Sequence, residues 1–135
     1  MSVADAVLAL AKAAVAPVAV YDGKVPPGAT GRYVVLYDRT PRRWSEDVAN
    51  SNDLRTFRFQ LTYVGLGIFA DRAAVADLVE KCQDALIGTT PVVSGLALGP
   101  ISQEGDSRPF TPDKDDPSGV ALTTSDSFVL LGSRA

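Results

Sequence analysis

From Phe57 to Tyr63 the chain alternates without a break. Phe57, Phe59, Leu61 and Tyr63 are apolar, and Arg58, Gln60 and Thr62 between them are polar, with Thr56 extending the polar set. A period of two places these sets on opposite sides of a strand. The pattern predicts a strand over Leu54–Val64 with one side in a core and one side polar. The stretch Arg32–Asp38 has no polar side: Tyr33, Val35 and Tyr37 share one face, Val34 and Leu36 the other. Such a strand is expected to be covered on both faces. Shorter apolar runs at Val18–Tyr21, Pro91–Gly99 and Val120–Leu131 add three more strands.

Helical spacing marks two segments. In Ser2–Ala16 the apolar positions are Val3, Val7, Leu8, Ala11, Ala14 and Val15, and Ser2 with Asp5 forms a capping pattern. The opposite side of this helix is mostly alanine, so the sheet or a neighbouring subunit is expected to cover it on more than one side. Pro17 ends it. In the second helix, Val75, Leu78, Val79, Cys82 and Leu86 form one stripe, while Asp77, Glu80, Lys81 and Asp84 face away. Asp71 fits its N-cap and Gly88 its C′ position. The helix is about 25 Å long, enough to cross a small sheet.

Three connectors stand out. "DGKVPPGATG" is stiffened by Pro26 and Pro27. A polar loop occupies about residues 40–53, and a proline-rich one, expected to be extended, residues 102–118. Loops of this length in a small domain are usually functional or mobile. The order α-β-β-β-α-β-β gives an α+β fold, two helices packed on one face of a mainly antiparallel sheet, as a single domain over 1–135.

Composition narrows the function more than the fold. The chain has 135 residues, 46% hydrophobic and 21% charged, the profile of one soluble globular domain. Its net charge of -3 excludes a DNA-binding polycation. Asp5 and Lys12 interrupt the first apolar run, which argues against a signal peptide or a membrane span and points to a cytoplasmic folding compartment. There is no histidine, which removes histidine-based triads, Cys-His pairs and histidine metal ligands. The one cysteine, Cys82, lies on the apolar stripe of a helix and reads as a small core residue.

No motif for catalysis or cofactor binding survives inspection. Asp113 and Asp115 match the start of a calcium loop, but Pro117, Ser118 and Thr124 stand where the third ligand, the glycine and the final glutamate belong. Gly65 and Gly67 precede a helix without the further residues of a phosphate loop. A carboxylate enzyme using Asp113, Asp115 or Glu104 stays as an alternative, with no pair that the sequence places in one pocket. Arg39, Arg42, Arg43 and Trp44 form a basic-aromatic cluster, either a solvated loop tip or a docking surface. A single-strand nucleic-acid site is the weaker reading, because interleaved aromatics are missing. A monomeric binding module is a further alternative.

The succession "VYDGKVPPGATGRYVVLYD", a long loop, "TFRFQLTYVG" and "DRAAVADLVEKCQDAL" resembles the tail terminator (tail completion) proteins of long-tailed, non-contractile bacteriophages, especially those of actinobacterial phages. The V-P-P-G-A and Y-V-V-L segments carry most of the resemblance, which covers Ala4–Ile87 well and the C-terminal third loosely. The resemblance implies a virion protein at the tail-neck junction, assembled in the host cytoplasm as a homohexameric ring. Such a ring caps the tail tube, stops its polymerisation and presents a surface to the neck. Its partners would be its own copies, the major tail tube protein and a connector or stopper protein of the neck. DNA would pass through the lumen without sequence-specific binding. No cofactor, metal, membrane or catalysis is implied. The expected interface residues are Tyr33, Arg39, Arg42, Arg43, Trp44, Arg55, Arg58 and Phe110. Another connector or stopper ring of the neck is the nearest alternative.

Overall fold

The first helix starts at the expected cap. The Asp5 N–H donates to the Ser2 hydroxyl and the Ser2 N–H to the Asp5 carboxylate, each at 3.1 Å. These two bonds satisfy donors that the helix leaves open. In the computed structural model, residues 2–40, 54–112 and 121–134 are described. Helix α1 spans Val3–Val15, followed by strands β1 (Ala19–Asp22), β2 (Arg32–Asp38) and β3 (Arg55–Leu66). A single 3-10 turn, Gly67–Phe69, leads to helix α2 (Arg72–Leu86). Strands β4 (Leu96–Leu98), β5 (Ser102–Gln103), β6 (Thr111–Pro112) and β7 (Ala121–Arg134) complete the chain.

The sheet order is β1-β2-β3-β7-β4, with β5 and β6 also on β7. Among the described residues, β1 and β2 run parallel and the other pairs are antiparallel. Both helices lie on one face. Val7, Ala11 and Val15 of α1 and the Val75–Leu86 stripe of α2 close over Val34, Leu36, Phe59, Leu61, Phe128 and Leu130. The architecture is therefore the α+β class expected. Alternation decides which β3 residues are inside: Phe57, Phe59, Leu61 and Tyr63 are all buried.

Helix α2 begins where Asp71 accepts from the Ala74 N–H at 3.0 Å. It ends before Gly88, whose φ of 82° suits a residue without Cβ. The Gly88 N–H donates to Ile101 O, and the Ile101 N–H to Thr89 O, at 2.7 and 2.9 Å. The helix end is thus tied to the base of the C-terminal segment. Arg32 ties the other end, donating to Ala74 O and to the Asp77 carboxylate at 3.0 and 2.9 Å.

Two details differ from the expectation. Residues 102–112 do not form a free extended loop. They strap the outer edge of β7 through β5, β6 and two further bonds, Glu104 N–H to Ser127 O and Arg108 N–H to Ser125 O. The fourth strand also shrinks to Leu96–Leu98. Backbone pairing along an edge strand leaves no mark on side-chain periodicity, which is why the pattern missed it. The second face of β2 carries no helix among the described residues, although Val35 is only 2% exposed there. Its neighbours Tyr33 and Tyr37 on the same face are half-buried.

Candidate assembly surface

The face of the sheet away from the helices is set by register. Val35 pairs with Thr62, Tyr37 with Gln60, and across the next ladder Thr62, Gln60 and Arg58 pair with Ser125, Ser127 and Val129. Tyr21 and Tyr33 meet edge to face, 5.6 Å between centroids. The Arg39 guanidinium lies 5.8 Å from the centre of the Tyr37 ring and donates to Gln60 Oε1 at 3.2 Å. Arg58 pairs with Glu104 at 3.3 Å, with both side chains nearly half exposed. In that setting the ion pair contributes at most about 1 kcal/mol, so its consequence is orientation rather than stability.

Tyrosine and arginine offer large contact area with a polar tip and are enriched at interface hot spots. Of the residues expected at an interface, the structure brings Tyr33, Arg39 and Arg58 onto this one face. Arg55 lies on the opposite side, its guanidinium 5.0 Å from the buried Phe57 ring. Phe110 lies on the strap, 5.3 Å beneath Arg72. Arg42, Arg43 and Trp44, and the acidic pair Asp113 and Asp115, fall outside the described residues.

At one end of this face is a hollow of about 500 Å³, lined by Thr56, Arg58, Gly99, Pro100, Val129 and Leu131. A second, of about 380 Å³, lies between Ala6, Ala9 and Leu10 of α1 and the segment Thr89–Val92. Ile68 and Val92 are each 88% exposed. Ile68 sits in the turn between β3 and α2, a place where sequence pattern gave no reason to expect an apolar tip.

The functional reading of the sequence missed Asp126. It is 1% exposed and lies in β7 opposite Leu61, on the helix side of the sheet. Its Oδ2 accepts from the Tyr63 hydroxyl at 3.0 Å and from Gln83 Nε2 at 3.1 Å. Its Oδ1 accepts from Gln103 Nε2 at 3.2 Å and from the Ser107 hydroxyl. These donors replace the water that a buried carboxylate loses. A signal was present: counting back by twos from Leu130 and Phe128 puts Asp126 in the inward register.

Burial first, and then the Asp126 charge, push the pKa of the Tyr63 phenol up and keep it protonated. The same two causes, in the same order, push the Cys82 thiol up to about 12. A thiol so protonated is a poor nucleophile, in keeping with Cys82 as a core residue. Among the described residues, no group of three or more Cys, Asp or Glu is placed to hold a metal ion. Among the same residues, no helix is long and apolar enough to cross a membrane.

No protein-family model matches the chain, and no curated protein does. Solved structures do share the fold. One is a chain from the virion of a native gene transfer agent particle. It has a TM-score of 0.71 and 18% identity, covering 98% of this chain and 95% of that one. A second solved structure has a TM-score of 0.66 and 22% identity, covering 97% of this chain and 90% of the other.

Proposed function

We propose that this chain is a structural virion protein. Six copies form the ring that caps a tail tube, ends its polymerisation and gives the neck of the filled head its attachment surface. The observation that carries the reading is the shared fold with a virion chain over nearly the full length of both molecules. The narrower assignment, to a terminator at the tail-neck junction, rests on the V-P-P-G-A and Y-V-V-L resemblance.

The surface supports a task done by binding rather than turnover. One side of the sheet carries two helices, and the other carries Tyr21, Tyr33, Tyr37 and Arg39. Unlike faces suit a closed ring, in which a patch on each subunit meets a different patch on the next. Loops 40–53 and 102–118 would dock tube on one end and neck on the other. DNA would pass through the lumen, with no cofactor and no sequence-specific contact.

Electron microscopy of particles made without this protein tests the reading. Overlong or headless tails are the expected result. Tails of normal length would overturn it, and full heads that leak DNA would reassign the protein to a stopper ring. Charge reversal at Arg42 and Arg43 is expected to lower infectious titre while leaving the far-ultraviolet circular dichroism spectrum unchanged. An unchanged titre would remove that loop from the docking surface.

A further inference from the structure

The strap Ser102–Pro112 is fastened unevenly. Its base is fixed, because Ile101 is 2% exposed and bonded to Gly88 and Thr89. Its far end is held by Phe110 under Arg72 and by the two-residue strand β6. Between them, residues 104–109 are all exposed. Two backbone bonds, from the Glu104 and Arg108 N–H groups, a side-chain bond from the Thr124 hydroxyl to Arg108 O, and Asp126 hold this middle part to β7, and the exposed Arg58 ion pair to Glu104 ties it to β3. Ser107 also accepts from Gln83 Nε2 at 3.2 Å.

The two oxygens of Asp126 divide the work. Among the described residues, Oδ2 bonds to the body, at Tyr63 of β3 and Gln83 of α2. Among the same residues, Oδ1 bonds to the strap, at Gln103 and Ser107. If the strap lifts, the body half of the cluster stays intact. The Oδ1 that loses its donors gains water, and the hydration of a carboxylate offsets much of what those bonds contributed. The β3–β7 backbone ladder and the core beneath the helices keep their partners, while Arg58 loses Glu104 and Gln83 loses Ser107. An exposed segment with few backbone bonds and a solvent-ready anchor is the kind of unit that opens below the global unfolding free energy.

We propose that the strap has two states and that Asp126 is its clip. In the closed state Oδ1 holds Gln103 and Ser107. In the open state residues 102–109 lift from the edge of β7 between the fixed Ile101 and the end held by Phe110 and β6, baring the backbone groups of Ser125 and Ser127. The strap is part of the loop that the proposed function assigns to docking. Only the use of the open state in docking rests on that function; the opening itself does not.

Amide hydrogen exchange on the full chain tests the clip. In the wild-type protein the Glu104 and Arg108 amides are expected to exchange at least ~10-fold faster than those of the β3–β7 ladder, through an opening insensitive to low denaturant. Ser107→Ala with Gln103→Ala removes both Oδ1 donors and should speed those two amides by a further ~10-fold, with the ladder amides unchanged. The idea is overturned if strap and ladder lose protection together in the wild type. It is equally overturned if the double variant leaves strap protection as it was, or lowers the whole molecule's protection evenly. Tube capping by the same variant separates the two claims. A loosened strap with normal capping would defeat the docking role and leave the clip standing.

Discussion

Gly65→Ala adds one methyl group where the fold has no room for it. Gly65 lies near the end of β3, paired with Arg32 on one side and Leu122 on the other. A Cβ there would stand 2.0 Å from Phe69 O and 2.8 Å from Val75 Cγ2, where ordinary contact begins near 3.4 Å. The nearer obstacle is backbone and cannot rotate away. Moving Phe69 would disturb Arg32, which lies 5.9 Å from its ring centre, and the Asp71 cap that follows. Overpacking of this kind costs typically 1–3 kcal/mol, and a backbone obstacle places this case at about 3 kcal/mol or more. Gly67→Ala supplies the control. Nothing lies within 4 Å of its added Cβ, but φ is +59°, so only the left-handed backbone cost of about 1 kcal/mol applies. Urea denaturation followed by far-ultraviolet circular dichroism measures both against the wild type. The reasoning is refuted if Gly65→Ala costs less than about 1 kcal/mol, below the overpacking range, or less than Gly67→Ala.

Other outcomes follow from the same geometry. Asp71→Ala should destabilise the protein by about 1 kcal/mol by removing the cap of α2, and Asp71→Ser should restore most of it in the same urea assay. Tyr63 and Cys82 are held protonated when folded, so the unfolded chain releases those protons at lower pH. Stability is full below about pH 9 and falls as pH rises from there toward about 12, by at most about 1.4 kcal/mol per pH unit for each group. A urea midpoint that stays flat across that range would contradict this. A thiol reagent should label Cys82 only as fast as the protein opens; immediate labelling at neutral pH would show that its burial is incomplete.

How much was legible in the sequence differs from element to element. The stripe Val75 to Leu86 and the alternation Phe57 to Tyr63 gave α2, β3 and their buried faces, because burial repeats with the period of the backbone. The Ser2–Asp5 box and the Asp71 cap were readable for a related reason: a cap is a bond between residues three apart, and both partners stand in one short window. The strap was not readable, since its partners on β7 are side-chain-blind backbone groups about twenty residues away. Part of the candidate surface was legible. Tyr33, Arg39 and Arg58 were singled out as residue types, but only the β2–β3 register set them on one face.

Taken alone, the chain determined its helix and strand periods, its caps and its lack of histidine chemistry. Tertiary structure decided that Asp126 is buried, that its two oxygens serve different parts of the molecule, and that Gly65 must have no side chain. Local pattern follows from the chain's own repeat. The Asp126 cluster depends on atoms brought together across 19 to 63 positions, and Gly65 on the space left where the turn after β3 folds back on it, which side-chain periodicity does not record.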